Sequence, residues 1–121
     1  EALRSLRSLG VSVTVDDFAT GMSALARLQS LPVDRLKIDR SFVHDLSGDE
    51  ADARIIHIIV AMARAMRLQV TAEGVETETQ LRLIRHEQCD LAQGFLLSRP
   101  VPPERIPELC TQAGRLSGYA I

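Results

Sequence analysis

Val11-Ser12-Val13-Thr14-Val15-Asp16-Asp17-Phe18-Ala19-Thr20-Gly21 is the stretch on which the fold turns. Three valines alternate with small polar residues, the pattern of an extended strand with two unlike faces. Two carboxylates arrive where the strand should end, and a Thr-Gly turn feeds a helix-like run. Adjacent acids repel unless cations or hydrogen bonds compensate. The pair therefore marks either a solvated turn or one corner of a charged site.

Around this stretch lies a chain of 121 residues with formal net charge −2, 45% hydrophobic and 25% charged. That is the size and composition of one globular domain. A slightly acidic balance argues against a general nucleic-acid binder. The longest apolar run is broken by Arg54, His57 and Arg64, so no segment reaches membrane-spanning length. The first residue is Glu1 and no signal peptide is visible, so we expect a fragment or excised domain. Cys89 and Cys110 lack metal-ligand spacing and are expected to be reduced thiols packed as small hydrophobes, in a cytoplasmic setting.

Leu3, Leu6 and Leu9 at helical spacing predict a helix closed by Gly10. The strand 11–17 follows, then a helix over about 20–31 stopped by Pro32, and a second strand at 35–39. Beyond the polar loop 47–50, Ile55, Ile59, Met62 and Met66, widened by Ile56 and Ala63, predict one buried helix face. A third strand spans 69–73, and Thr77-Glu78-Thr79-Gln80 is a capping-box pattern. A fourth strand is expected from about Leu91 to Leu97, then a last helix with Ile106 and Leu109, and a frayed tail from Gly114. Helix followed by four strand–helix units implies parallel strands joined by right-handed crossovers.

Strand parity points to chemistry. Val11, Val13 and Val15 oppose Ser12, Thr14 and Asp16; Leu36 and Ile38 oppose Lys37 and Asp39; Val70 and Ala72 oppose Gln69, Thr71 and Glu73. Each polar face gains a charge near the carboxyl end of its strand. Parallel sheets are normally apolar on both faces, so a polar second face suits a barrel interior or cleft, whose sites lie at strand carboxyl ends. The resulting constellation is Asp16, Asp17, Lys37, Asp39, Glu73, Glu76 and Gln93. Its carboxylates suit a hard cation such as Mg²⁺ or Mn²⁺, and its lysine can hold a water or phosphate oxygen. Metal-assisted hydrolysis of a phosphate ester fits the set. Taken singly, each element has a plainer reading: a solvated turn at Asp16-Asp17, a rim ion pair for Lys37 and Asp39, a loop start at Glu73-Gly74. The histidines His44, His57 and His86 do not join the set, and His57 and His86 are expected on solvated helix faces.

Four motifs, DDFATGMSAL (16–25), LPVDRLKIDRSFV (31–43), VTAEGVET (70–77) and CDLAQGFLLSRP (89–100), resemble in order and spacing the EAL domain of bacterial signalling proteins. The resemblance covers nearly all of the chain. It implies the C-terminal half of a TIM-type (β/α)₈ barrel that hydrolyses cyclic di-GMP to linear pGpG with two Mg²⁺ or Mn²⁺ ions. By the same resemblance Asp16 bridges the metals, Asp17 lies on the second, and Lys37 orients the attacking water. Glu73 is a second-site metal ligand or base, and Gln93 lies near that water. Asp39, Glu76 and Gly94 line the pocket, and residues 18–23 link the metal site to a dimer contact.

The family usually has Gly at position 19 and Tyr at 22, where this chain has Ala19 and Met22. Ala enters positive φ less cheaply than Gly, so the loop geometry is open to change. The naming motif, the substrate-holding arginine, and an Asn and a Glu ligand belong to strands upstream of residue 1. Glu1-Ala2-Leu3 spells the family letters but starts an amphipathic helix, and the match is coincidental. A complete barrel takes about 250 residues, so the chain is expected to be part of a larger protein or to pair with a second copy, with a homodimer and an upstream diguanylate cyclase (GGDEF) or sensor domain implied for the parent. Alone it should show little hydrolysis. A non-catalytic EAL-type receptor for the nucleotide is the alternative, and another metal-dependent phosphohydrolase a third.

Overall fold

The computed structural model describes residues 1–18, 28, 30–47 and 53–115. The helix expected over about 20–31 and part of the polar loop fall mostly outside them; Leu28 and Ser30 are helical, and Leu28 is buried. In chain order the elements are α1 (Ala2–Ser8), β1 (Thr14–Phe18), β2 (Arg35–Ile38), α2 (Arg40–His44), α3 (Arg54–Ala65), β3 (Gln69–Glu73), α4 (Glu78–His86), β4 (Leu91–Gln93), a single 3₁₀ turn (Pro103–Arg105) and α5 (Ile106–Arg115).

The four strands form one parallel sheet in the order β1-β2-β3-β4. Strand order equal to sequence order means that every crossover travels the same way. With right-handed connections the helices then stay on one side of the sheet, which is the arrangement of a barrel wall rather than a doubly wound sheet. The covered side carries Leu36, Ile38, Val70 and Ala72, all fully buried. Leu36, Ile38 and Val70 each contribute about 1.5–3 kcal/mol on burial. The other side carries Lys37, Thr71, Glu73 and Gln93, half-buried or exposed.

Several expectations shift. The first strand starts at Thr14 instead of Val11 and extends to Phe18. The fourth ends at Gln93 instead of Leu97, because Gly94 and the residues after it turn back: the Leu97 and Ser98 N–H groups donate to the Gly94 carbonyl at 3.1 and 3.2 Å. In α3 the buried stripe is Ile56, Ile59, Val60 and Ala63, while Ile55 is half exposed and Met62 and Met66 only partly covered. A helix with apolar residues on both sides of a stripe leaves its orientation to the neighbours. The helix at the C-terminal end includes Gly114 and Arg115. Cys89 packs in the core as expected, whereas Cys110 is exposed; burial pushes the Cys89 thiol up to about 12.

The connections are built from repeated parts. After α1, α3 and α4 the chain takes a positive φ at Gly10 (84°), Arg67 (59°) and Gln88 (61°). The next N–H, of Val11, Leu68 or Cys89, donates back to the carbonyl of Leu6, Ala63 or Ile84 at 3.2, 2.9 and 3.2 Å. This is the Schellman ending, which satisfies orphan carbonyls and turns the chain into the sheet. Two aspartates then clamp strand beginnings. Asp34 N–H donates to the Val13 carbonyl at 2.8 Å, while its carboxylate accepts the Val13 N–H at 2.9 Å. Asp90 repeats both bonds with Val70, at 3.0 and 2.7 Å. At the start of α4 the Thr77–Gln80 capping box is present, and the buried Gln80 carboxamide oxygen also accepts from the N–H groups of Glu76 and Thr77, at 2.7 and 3.0 Å.

Candidate active site

The carboxyl end of β1 departs from a regular ladder. Val15 pairs with Leu36 and Phe18 with Ile38, so two residues of β1, Asp16 and Asp17, face the span of one residue of β2, Lys37. This is a β-bulge, a device that re-aims side chains next to sites. Asp17 takes a positive φ of 51°, a conformation Asp tolerates better than most residues. Simple alternation would send Asp16 and Asp17 to opposite faces. The bulge leaves both exposed and returns Phe18 to the core at 6% exposure.

Opposite the bulge, Lys37 reaches between two strands. Its ammonium lies 3.4 Å from Asp16 Oδ1 and forms an ion pair with Glu73 Oε1. The hydrogen bond to Glu73 holds the Lys37 pKa above the usual lysine value, aided by the charges of Glu73 and Asp16 and opposed by desolvation. One carboxylate oxygen each from Asp16, Asp17 and Glu73 lies within 4.8 Å of the others. Three oxygen donors converging from two strands fit a hard divalent cation, and Lys37 is a counter-charge among them.

The remaining expected residues take different places. Asp39 follows the end of β2 and N-caps α2, accepting the Ser41 N–H at 2.9 Å and its hydroxyl at 2.5 Å. These two bonds, with the Ser41 hydroxyl leading, hold the Asp39 carboxyl below its ordinary value. The pairing of Lys37 with Asp39 as a rim ion pair is replaced by the pairs with Asp16 and Glu73. Asp39, Arg40, His44, Gly74 and Glu76 line an open cavity of about 630 Å³. Gln93 sits beside Glu73 in register at the end of β4.

Gly94 is a packing position: a Cβ there would meet the Val75 carbonyl oxygen at 2.1 Å and its nitrogen at 2.3 Å. Gly74, with φ of 74°, has Arg40 Cβ 2.6 Å from where its own Cβ would be. His57 and His86 are exposed as expected, and both face Glu87, at 2.8 and 3.2 Å. The residues 19–23 of the loop, with Ala19 and Met22, lie outside the described residues. Asp34 and Asp90 escaped the reading from sequence; the signal they carry is an aspartate between a buried residue and a strand, Val33-Asp34 and Cys89-Asp90.

Residues 1–100 match the family described as the EAL domain. The chain belongs to the EAL domain family. It is 50% identical over 106 residues to the cyclic di-GMP phosphodiesterase NbdA of Pseudomonas aeruginosa, a match spanning 88% of this chain and 14% of NbdA. The crystal structure of the EAL domain of Mycobacterium smegmatis DcpA superposes with a TM-score of 0.85 at 46% identity, covering 92% of this chain and 50% of that one. Klebsiella pneumoniae BlrP1, in a manganese and cyclic di-GMP complex, gives a TM-score of 0.73 at 33% identity, over 82% of this chain and 25% of that one. The EAL chain thus spans half of a solved EAL domain and about a seventh of NbdA. Its four-stranded sheet is an arc of the TIM-type barrel. Among the described residues no helix is long and apolar enough to cross a membrane.

Proposed function

We propose that this chain is part of a metal-dependent phosphodiesterase that hydrolyses cyclic di-GMP to pGpG. The observation that carries the proposal is the convergence of Asp16, Asp17 and Glu73 around Lys37 at the carboxyl ends of β1, β2 and β3. The relationship to NbdA supports the choice of substrate. Asp16, Asp17 and Glu73 would hold Mg²⁺ or Mn²⁺, with further ligands from outside this chain. Bound there, the ion supplies positive charge that stabilises a phosphoryl oxygen and acidifies water.

The chain's own residues do the rest. Lys37, an ammonium paired with Asp16 and Glu73, acts as a hydrogen-bond donor and cation rather than a base. It orients a water, or steadies the charge that grows on the phosphoryl oxygens. Glu73, which shares that ammonium, would serve either as a ligand of the ion or as the base that receives the proton released by the water. Because pGpG keeps its 5′-phosphate, the attack must break the bond from phosphorus to the 3′-oxygen, on which a proton then settles. Gln93, in register with Glu73, supplies a further polar contact at the same end of the sheet.

The test is chromatography of cyclic di-GMP incubated with the full-length protein and Mg²⁺ or Mn²⁺. Accumulation of pGpG, abolished by EDTA, is the expected result. Tight binding of cyclic di-GMP with no product would favour the non-catalytic receptor instead.

A further inference from the structure

Lys37 starts from the middle of the carboxylate set. It stands on β2, between the two strands that carry the acids, and its chain neighbours Leu36 and Ile38 are fully buried. Its backbone is in register with Thr71 of β3 and faces the Asp16-Asp17 bulge of β1. The side chain therefore rises from a fixed point of the sheet, and its ammonium ends on Asp16 Oδ1 and Glu73 Oε1. Two of the three carboxylates that converge here are thus already held by a cation belonging to the chain.

The two contacts differ in strength. The Lys37 and Glu73 side chains are 23% and 19% exposed, whereas that of Asp16 is 63% exposed. Water and salt screen an exposed pair far more than a sheltered one, so the ammonium is tethered to Glu73 and opens more easily toward Asp16. Without it, the acids would repel one another across the bulge.

A divalent cation that draws on Asp16 and Glu73 draws on the carboxylates that hold the ammonium, and like charges sharing ligands repel. We propose that Lys37 is a resident cation of the site. It holds Asp16 and Glu73 together when no metal is bound, and it competes with the metal for them. Lys37 thereby sets the concentration of free cation at which the site fills. The inference rests on the phosphodiesterase reading above and adds regulation to it: occupancy of the site follows the level of free divalent cation.

The probe is Mn²⁺ alone, titrated into metal-free full-length protein and followed by the EPR signal of the free ion. The site is the binding that Asp17→Asn removes. Lys37→Met, which keeps the length of the side chain and deletes its charge, should tighten the Kd of that site about tenfold or more. Lys37→Arg, which keeps a positive charge at the position, should tighten it far less. In a Glu73→Gln background, where the tether is gone, Lys37→Met should change the Kd less than it does in wild type. The metal-free Tm of Lys37→Met should fall, and its rise on adding Mn²⁺ should exceed that of wild type. Lys37→Gln repeats the measurement should Lys37→Met fail to fold. An unchanged or weaker Kd in the charge-deleting variants overturns the resident-cation role, and leaves the phosphodiesterase reading in place when the wild type converts cyclic di-GMP to pGpG. A wild type with no Mn²⁺ binding that depends on Asp17, and no pGpG, overturns both.

Discussion

Aspartates stand at both ends of this sheet, and their surroundings set them different tasks. At the strand beginnings, the Asp34 and Asp90 carboxylates accept the backbone N–H groups of Val13 and Val70. At the strand ends, Asp16 and Asp17 sit side by side on a bulge, with Glu73 and an ammonium as their company. The first kind closes a gap in the ladder, where a lost partner would leave a polar group unsatisfied. The second kind concentrates negative charge where the ladder has been opened. The residue type is the same; what receives its lone pairs separates structure from chemistry.

The sharpest way to break this comparison is at the strand ends. In the full-length protein, Lys37→Ala and Glu73→Ala should each lower kcat by about 100-fold or more, the scale expected for a lost charge-stabilising or proton-transferring group. A steady-state assay showing wild-type kcat in either variant would remove that residue from the mechanism. At the strand beginnings the effect should appear in stability instead. Asp90→Ala should destabilise by about 1–3 kcal/mol, because the N–H of fully buried Val70 loses its side-chain acceptor. Chemical denaturation of the variant beside wild type reads this directly.

Asp17→Asn should separate the two kinds again. Its metal-free stability should stay within about 0.5 kcal/mol of wild type, as for most exposed substitutions. The rise in Tm on adding Mn²⁺ should shrink, whereas Asp90→Ala should keep that rise. A thermal-shift series that finds the opposite pattern would exchange the two roles.

Acid should cost stability through the carboxylates that hold backbone. The Val13 N–H, followed by Arg7 at 2.7 Å, holds the Asp34 carboxyl below its ordinary value, and Asp39 is lowered by Ser41. A lowered folded value means that the stabilisation is fully present above the unfolded carboxylate value and is lost as pH falls through the folded one. Tm should therefore drop below about pH 4, less steeply in Asp34→Asn. The smallest effect concerns a helix ending: Arg67→Gly, at a φ of 59°, should change stability by less than about 1 kcal/mol, in the stabilising direction.

Much of this arrangement was legible from sequence because it rests on period-2 alternation. Leu36, Ile38, Val70 and Ala72 occupy the core face that their parity predicts, and Lys37 and Glu73 share the other. Alternation says nothing about a residue that breaks it. Asp17 could not be assigned a face from the pattern, since the bulge depends on the pairing of β1 with β2. Likewise Ile55 and Ile56 are equivalent apolar neighbours until the sheet selects Ile56. Asp34 and Asp90 were missed for a different reason: beyond their place just before a strand, their partners are the backbone N–H groups of Val13 and Val70, 21 and 20 residues away, and backbone atoms leave no trace in sequence.

The bulge has one more implication, which is a matter of counting. Remove Asp17, and Val15, Asp16 and Phe18 would alternate as core, rim, core, in step with Leu36, Lys37 and Ile38. The shortened strand would be the more regular one, and the site would be missing one of its carboxylates. At this point of the chain a single inserted residue sets the quality of the sheet against the donor count of the pocket. If the pocket holds a cation as proposed, a lineage that no longer needs it has a one-codon route to a tidier barrel wall, and the length of β1 is where that history would be written.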